Sequence, residues 1–502
     1  MRSMGFSPLP GSFVPQVHRN CPHNEVLALT RRVLAPLPDR VFEPLGPRAS
    51  RGFESLRKVA RRYPGHKWSL QETAESYTGS LRRRYLEAAA SVRADRVSAR
   101  DARLDCFLKA EKVNPLAKFQ KPRLIFPRDP RYNLSLASRL KPFEHWLWGV
   151  LRGRDLWRGG NNLRVVAKGL SARQRANLIV RKFRNFRKCV VFEVDGKAFE
   201  AHVGPDTLKA EHNVYRAAYP RDKGLGWLLA RQLRLEGRLP CGARFSRDGG
   251  RASGDFNTGM GNTMAMLACC VPVLQSYGCS FDVLADGDNA LVFLEAADLD
   301  RVVLNFEGDV LADSGFEMTL ERPVYLLEEI RFGRSAPIQL GGKLGWTMVR
   351  ELSNVMSGAF SSHVHLRQQA FVPEWLTGVA MCELSLALAV PMLQAWVLSV
   401  LDTVDFRGTV RQHPHRDYLI QGAWFASRDQ SREVDPVTRE SFSRAFGITP
   451  EAQLSFERTV GDHVRKVYRQ VWREVNQFTS ESSCPPGVGE SYLLENFWST
   501  SE

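Results

Sequence analysis

The chain is 502 residues long with 43% hydrophobic and 25% charged residues, which fits a folded globular protein and excludes a disordered or fibrous one. At this length one core gives way to a multi-lobed molecule or two to three subdomains. Lys and Arg number 70 against 54 Asp and Glu, a net charge of +16, and such an excess selects polyanionic partners, nucleic acid before an anionic membrane surface. The nine cysteines show no CxxC pair, and Cys269 and Cys270 stand side by side in an apolar run. Reduced, buried thiols in an intracellular compartment are expected, without a zinc site or disulfide framework.

The first 50 or so residues are rich in Pro and Gly and read as irregular wrapping or a flexible arm. "MRSMGFSPLPGSFVPQ" has no apolar core long enough for a signal peptide. From Ser69 to Arg103 the pattern turns helical, with arginines between the apolar positions of "SLRRRYLEAAASVRADR". "SARQRANLIVRKFRNFRK" (Ser171 to Lys188) is a basic amphipathic helix ending just before the strand "CVVFEVD". Residues 205 to 245 look helical again, and "RASGDFNTGMGNTMAMLACC" is a Gly-rich loop running into an apolar helix. From 280 to about 350 short strands dominate: "FDVLA", "ALVFLE", "VYLLEEIRF" and "APIQL". Beyond Thr347 the pattern is mostly helical, closing in the loose tail "SSCPPGVGESYLLENFWSTSE". Leu384 to Leu401 is long enough to span a bilayer, but Pro391 and Gln394 interrupt it and Glu383 abuts it. A buried helix pair is expected there, and no stable transmembrane segment.

Three separated pieces carry chemistry together. A strand delivers Asp195 and, five residues on, Glu200; a loop holds Ser253, Gly254, Asn257, Thr258 and Gly259. In "DVLADGDNALVFLE" (Asp282 to Glu295) two apolar runs bend around "DGDN", a hairpin signal. With Gly287 and Asp288 central, a type II′ turn is expected, with Asp286 and Asn289 facing each other across it. A strand-end Asp and a hairpin-tip Asp suit two-metal phosphoryl transfer, in which two divalent ions about 3.5–4 Å apart clamp the attacking and leaving oxygens. Each piece alone is ordinary loop or strand-end material. Their order, behind basic segments, is specific.

"YTGSLRRRYLEAA", "CFLKAEKVNPLAKFQKPRLIFPRDPRYNLSLASRLKPFEHWLW", "VAKGLSARQR", "DGKAFEAHV", "SGDFNTGMGN" and "EEIRFGRSAP" follow one another between about Tyr77 and Arg350. Through them the chain resembles the RNA-dependent RNA polymerases of positive-strand RNA viruses, most closely the tombusvirus family and its relatives. The resemblance implies an α+β right hand. An N-terminal arm and fingertips would span 1–76, fingers 77–190, a palm of antiparallel sheet flanked by helices 191–340 with a fingers insertion at about 205–248, and a helical thumb and tail 341–502. It further implies RNA-templated RNA synthesis with two divalent ions, Mg²⁺ or Mn²⁺. The partners would be template and product RNA, ribonucleoside triphosphates, and viral or host replication proteins. The location would be the host-cell cytoplasm, on membrane-associated replication complexes. Asp195 and Asp288 would hold metal, with Asn289 beside them. Lys109, Lys112 and Arg123 would line the nucleotide channel, supported by Arg128 and Arg131. Glu200, Ser253, Asn257 and Thr258 would read the ribose, whose 2′-hydroxyl both donates and accepts. Gly254 and Gly259 would let backbone approach the template.

Four positions, in three places, depart from the family pattern. The family writes Asn-Gly-Asp-Asp at the hairpin tip, where this chain has Asp286-Gly287-Asp288-Asn289. Glu200 replaces an Asp, and Thr319 stands where a lysine could protonate the leaving pyrophosphate. Two readings follow: a working polymerase with altered metal preference, and a catalytically weak or inactive polymerase-like scaffold that binds RNA. Asn257 and the loop around it argue against a reverse transcriptase.

Overall fold

The computed structural model describes residues 1–410 and 423–477, with side chains described to Val471; the loose tail lies outside the described residues. The fold is a mixture of helices and small antiparallel sheets, α+β as expected. At its centre stands a four-stranded antiparallel sheet in the order Met318–Leu320, Cys189–Gly196, Asn289–Glu295, Phe281–Asp286. Its three longer strands are buried on both faces, which is why "CVVF" and "ALVFL" are continuous apolar runs and do not alternate. Val190, Phe192 and Val194 enter a core shared with the helices Pro47–Ala60, Thr258–Ser276 and Phe306–Ser314. Val191, Leu291 and Phe293 enter a second core with the helix Ala172–Phe183 and the strand Gly345–Arg350.

The basic helix Ala172–Phe183 opens on a capping box between Ser171 and Gln174. Its far end is locked to the sheet by Lys182, whose Nζ lies 2.7 Å from Asp282 with both side chains out of contact with water. One of its cations is therefore structural.

Two expectations are corrected. After the helices Pro205–Ala218 and Lys223–Ala230, the chain forms an antiparallel hairpin, Arg234–Arg238 with Arg244–Asp248. There Leu235 and Phe245 turn inward between outward charged residues, the period of a strand. "VYLLEEIRF" is not a strand: Val324 makes one bridge to Val191, and Leu327–Glu329 is a 3₁₀ turn. The buried carboxylate of Glu328 accepts from Ser441 and Arg444, an anchor that a strand side chain facing solvent could not provide.

The N-terminal stretch is more regular than its Pro and Gly content suggests. Pro22 and Pro47 each sit in a first helical turn, where the missing N–H is no loss. Wrapping is nonetheless present. Arg2–Ser3 pairs with Ser361–Ser362, and Met4 and Phe6 bury in the C-terminal helical core. The Trp396 indole N–H donates to the Phe6 carbonyl at 3.0 Å, and Gln16 then bridges to Val113. Val372–Ala387 and Leu393–Val404 are the expected buried helix pair. No helix among the described residues is long and apolar enough to cross a membrane.

Candidate active site

The hairpin tip is a two-residue turn in which Gly287 has φ +64° and Asp288 does not share the left-handed region. That is the type II′ geometry, and glycine meets it without strain. Register then aligns four strand ends in one row: Thr319 opposite Asp195, Asp195 opposite Asn289, Asn289 opposite Asp286. The Gly196 N–H donates to the Asp288 carbonyl at 3.1 Å, tying the turn to the end of the Asp195 strand. Burial and the charges of Asp288 and Glu321 raise the Asp195 carboxyl above its usual range. Burial likewise raises Asp288, opposed by its own backbone N–H and by Arg123.

The exchanged pair is engaged elsewhere. Asp286 forms an ion pair with Arg175 at 2.6 Å, and the Arg175 guanidinium lies over the Phe332 ring. Asn289 Nδ2 donates to Glu193 Oε1 at 2.9 Å. Among the described residues no cluster of three or more His, Cys, Asp or Glu side chains is arranged to hold a metal. The donors at the tip are the two carboxylates of Asp195 and Asp288, with the Asn289 carbonyl oxygen beside them. That set fits Mg²⁺, which takes one or two carboxylates and completes its octahedron with water and substrate phosphates.

Next to the tip, Arg32, Arg123, Glu200, Arg247 and Arg251 line a small, open cleft. Arg123 Nη2 lies 3.7 Å from Glu200 and Nη1 3.3 Å from Glu111; Lys109 lies 2.9 Å from Glu111. Burial raises the Glu200 carboxyl against the pull of Arg123, and the charge of Asp288 raises it further, so cleft and hairpin tip share one field. Lys112 is not brought to this cleft. Its ammonium donates to the Gly358 carbonyl at 2.8 Å, and the protein around it pushes it down to about 8. Arg128 is buried against Asp255 at 2.6 Å, and Arg131 is held by Asp101 and Ser91; neither lines this cleft. Arg32 is a site residue that sequence reasoning missed. It stands in the arm's π-helical turn Leu29–Val33, and its buried Nε has no hydrogen-bond partner.

Ser253 Oγ reaches the Leu124 carbonyl at 3.4 Å, and Thr258 Oγ1 donates to the carbonyls of Ala252 and Asp255. Gly254 is required here, since a Cβ would lie 2.5 Å from the Phe126 carbonyl oxygen. Asn257 is fully buried, its amide bonded to Glu211 and Gln232. It supports the loop from behind and does not line the cleft. Asn262 was also missed. It lies one helical turn beyond Thr258 and accepts from Arg251 Nε at 3.1 Å; the i, i+4 spacing was the available signal.

A family model described as viral RNA dependent RNA polymerase matches residues 6–465. The chain belongs to the viral RNA-dependent RNA polymerase family. This family match runs beyond the motif-bearing stretch at both ends, taking in Arg32 and the C-terminal helices. The chain is 33% identical over 397 residues to the RNA-directed RNA polymerase of Carnation mottle virus, covering 78% of this chain and 50% of that protein. With the RNA-directed RNA polymerase of Tobacco necrosis virus (strain A) it shares 30% identity over 455 residues, 87% of this chain and 61% of the relative. With that of Turnip crinkle virus it shares 33% over 389 residues, 76% and 48%. This polymerase-family chain thus spans about half to three fifths of the length of these relatives.

Proposed function

We propose that the chain synthesises RNA on an RNA template by two-metal nucleotidyl transfer at Asp195 and Asp288. The observation that carries this reading is the sheet register, which sets the Asp195 strand end against the hairpin tip, close enough that the charge of Asp288 raises the Asp195 carboxyl. In this reading the central sheet is the palm, 191–340, with an insertion at about 205–248; residues 1–76 and 77–190 form arm, fingertips and fingers, and 341–502 the thumb and tail. Asp195 and Asp288, with Asn289 beside them, hold Mg²⁺ or Mn²⁺. Bound there, the ions supply charge stabilisation to the transferring phosphoryl group. Arg123 and Lys109 offset triphosphate charge as it moves onto the pyrophosphate. The Glu200 carboxylate accepts from the ribose 2′-hydroxyl, with Ser253 and Thr258 on the loop beside it. Thr319 itself offers no acid, and two of the groups near it are poorly suited to protonate the leaving group. His202 is buried between Glu317 and the Ala198 carbonyl, and Arg322 stays charged. Replication proteins of virus or host, on membrane-associated complexes in the host cytoplasm, belong to the same proposal.

The scaffold reading draws support from the pairing of Asp286 with Arg175, which leaves two free acids at the tip. Incorporation of a labelled ribonucleotide on a primed RNA template, run with Mg²⁺ and with Mn²⁺, separates the two. Template-complementary extension in either metal supports the polymerase. RNA binding without extension in both would establish the scaffold.

A further inference from the structure

Behind the cleft lies a buried polar chain. Helix Pro205–Ala218 presents Glu211, fully buried, and Arg251 grips both of its carboxylate oxygens, through Nη1 at 3.0 Å and through Nη2. Glu211 Oε1 also accepts from the Tyr215 hydroxyl at 2.7 Å and from Asn257 Nδ2 at 3.0 Å. Asn257 Oδ1 accepts from Gln232, which also donates to Asp255, the partner of Arg128. Two buried ion pairs thus brace the loop that carries Ser253 and Thr258. Gly261 makes room for one of them: a Cβ there would lie 2.5 Å from Arg251 Nη2 and from Glu211 Oε1.

A buried ion pair is weak as a source of stability, because desolvation offsets most of the attraction. Position suggests a different use. Arg251 lines the same cleft as Glu200, and its backbone N–H donates to the Glu200 carbonyl at 2.8 Å. The charge of Arg251 already acts on the Glu200 carboxyl. The other carboxylate in its field, Asp255, is occupied by Arg128.

We propose that Glu211 is a specificity-positioning residue: by holding Arg251 at both oxygens it keeps a second guanidinium off Glu200, which meets Arg123 only at 3.7 Å and so can still accept from the ribose 2′-hydroxyl. This rests on the assignment of the cleft to the incoming nucleotide. Without Glu211, Arg251 becomes an uncompensated buried cation, and Glu200 is the carboxylate open to capture.

The test compares kcat/KM for a ribonucleoside triphosphate and its 2′-deoxy counterpart in the full chain. Wild type, Glu211→Gln, Arg251→Met and the double variant are measured, each with its thermal midpoint. Glu211→Gln should lose about tenfold of the ribose preference, the worth of one charge-assisted hydrogen bond. Arg251→Met and the double variant, which remove the capturing cation, should keep the preference. If Glu211→Gln does not fold, Gly261→Ala, which forces the pair apart, should show the same loss. An unchanged preference in the Glu211 or Gly261 variant, or equal losses in Glu211→Gln and Arg251→Met, would overturn the inference. Glu200→Ala in the same assay separates the two levels. If it leaves the preference intact, the reading of the cleft falls and this inference with it. If it abolishes the preference while Glu211→Gln does not, only the role of Glu211 falls.

Discussion

At Asn289 the carboxamide donates to Glu193, and this contact says what the position does in the absence of metal. Asn289→Asp would exchange a donor for a second carboxylate beside Glu193, removing a hydrogen bond to a charged group worth about 1.5–3 kcal/mol and adding repulsion. The thermal midpoint of Asn289→Asp should therefore fall, recover on adding Mg²⁺, and recover without metal when Glu193→Gln is added. An unchanged midpoint would show that the contact carries no energy. His212 makes a second case. Burial pushes its imidazole down to about 4 from an ordinary 6.5, and Nε2 has no hydrogen-bond partner. Between these values the unfolded chain binds a proton that the folded chain refuses. Stability is thus full above pH 6.5 and lost as pH falls towards 4, on the order of 3 kcal/mol in all. His212→Gln should flatten the dependence of the thermal midpoint on pH between 6.5 and 5, and a curve parallel to wild type would contradict the assignment.

At the scale of elements, what was legible followed from local rules. The hairpin was readable because glycine at the first turn position and apolar runs on either side agree on one geometry. The Asp195 strand and the buried helix pair after Val372 were readable from continuous apolar runs. The 234–248 hairpin was not, because its short strands hold single apolar residues among charges and follow two real helices. Asn257 was placed at the ribose from the loop motif, but its partners Glu211 and Gln232 come from other parts of the chain, and no local pattern announces them. Arg32 was hidden for the same reason: its neighbours in the cleft lie some ninety residues or more further along the sequence. The N-terminal strand also acts through tertiary contact. Phe6 is buried against Phe360 and Trp396, so Phe6→Ala should cost about 3–5 kcal/mol. A shift in denaturant midpoint of that size checks it, and a loss below about 1 kcal/mol would mean the strand rests on the core without holding it.

Over the whole molecule the charge of +16 is distributed unevenly in purpose. Lys182, Arg128 and Arg251 are buried in ion pairs, while Arg82, Arg83 and Lys118 remain on the surface. Binding of single-stranded RNA should weaken steeply with salt, with a log–log slope of about −0.7 for each phosphate neutralised. A slope near zero would mean that the surface charge serves another partner. The central claim is that Asp195 and Asp288 together hold the metal that RNA synthesis requires. The most direct measurement is metal-dependent ribonucleotide incorporation on a primed template by wild type, Asp195→Ala and Asp288→Ala, with RNA binding measured in parallel. Each variant should lose more than about 100-fold in rate, roughly 3 kcal/mol of barrier, while binding RNA nearly as well as wild type. Incorporation by either variant above one hundredth of the wild-type rate would contradict the account.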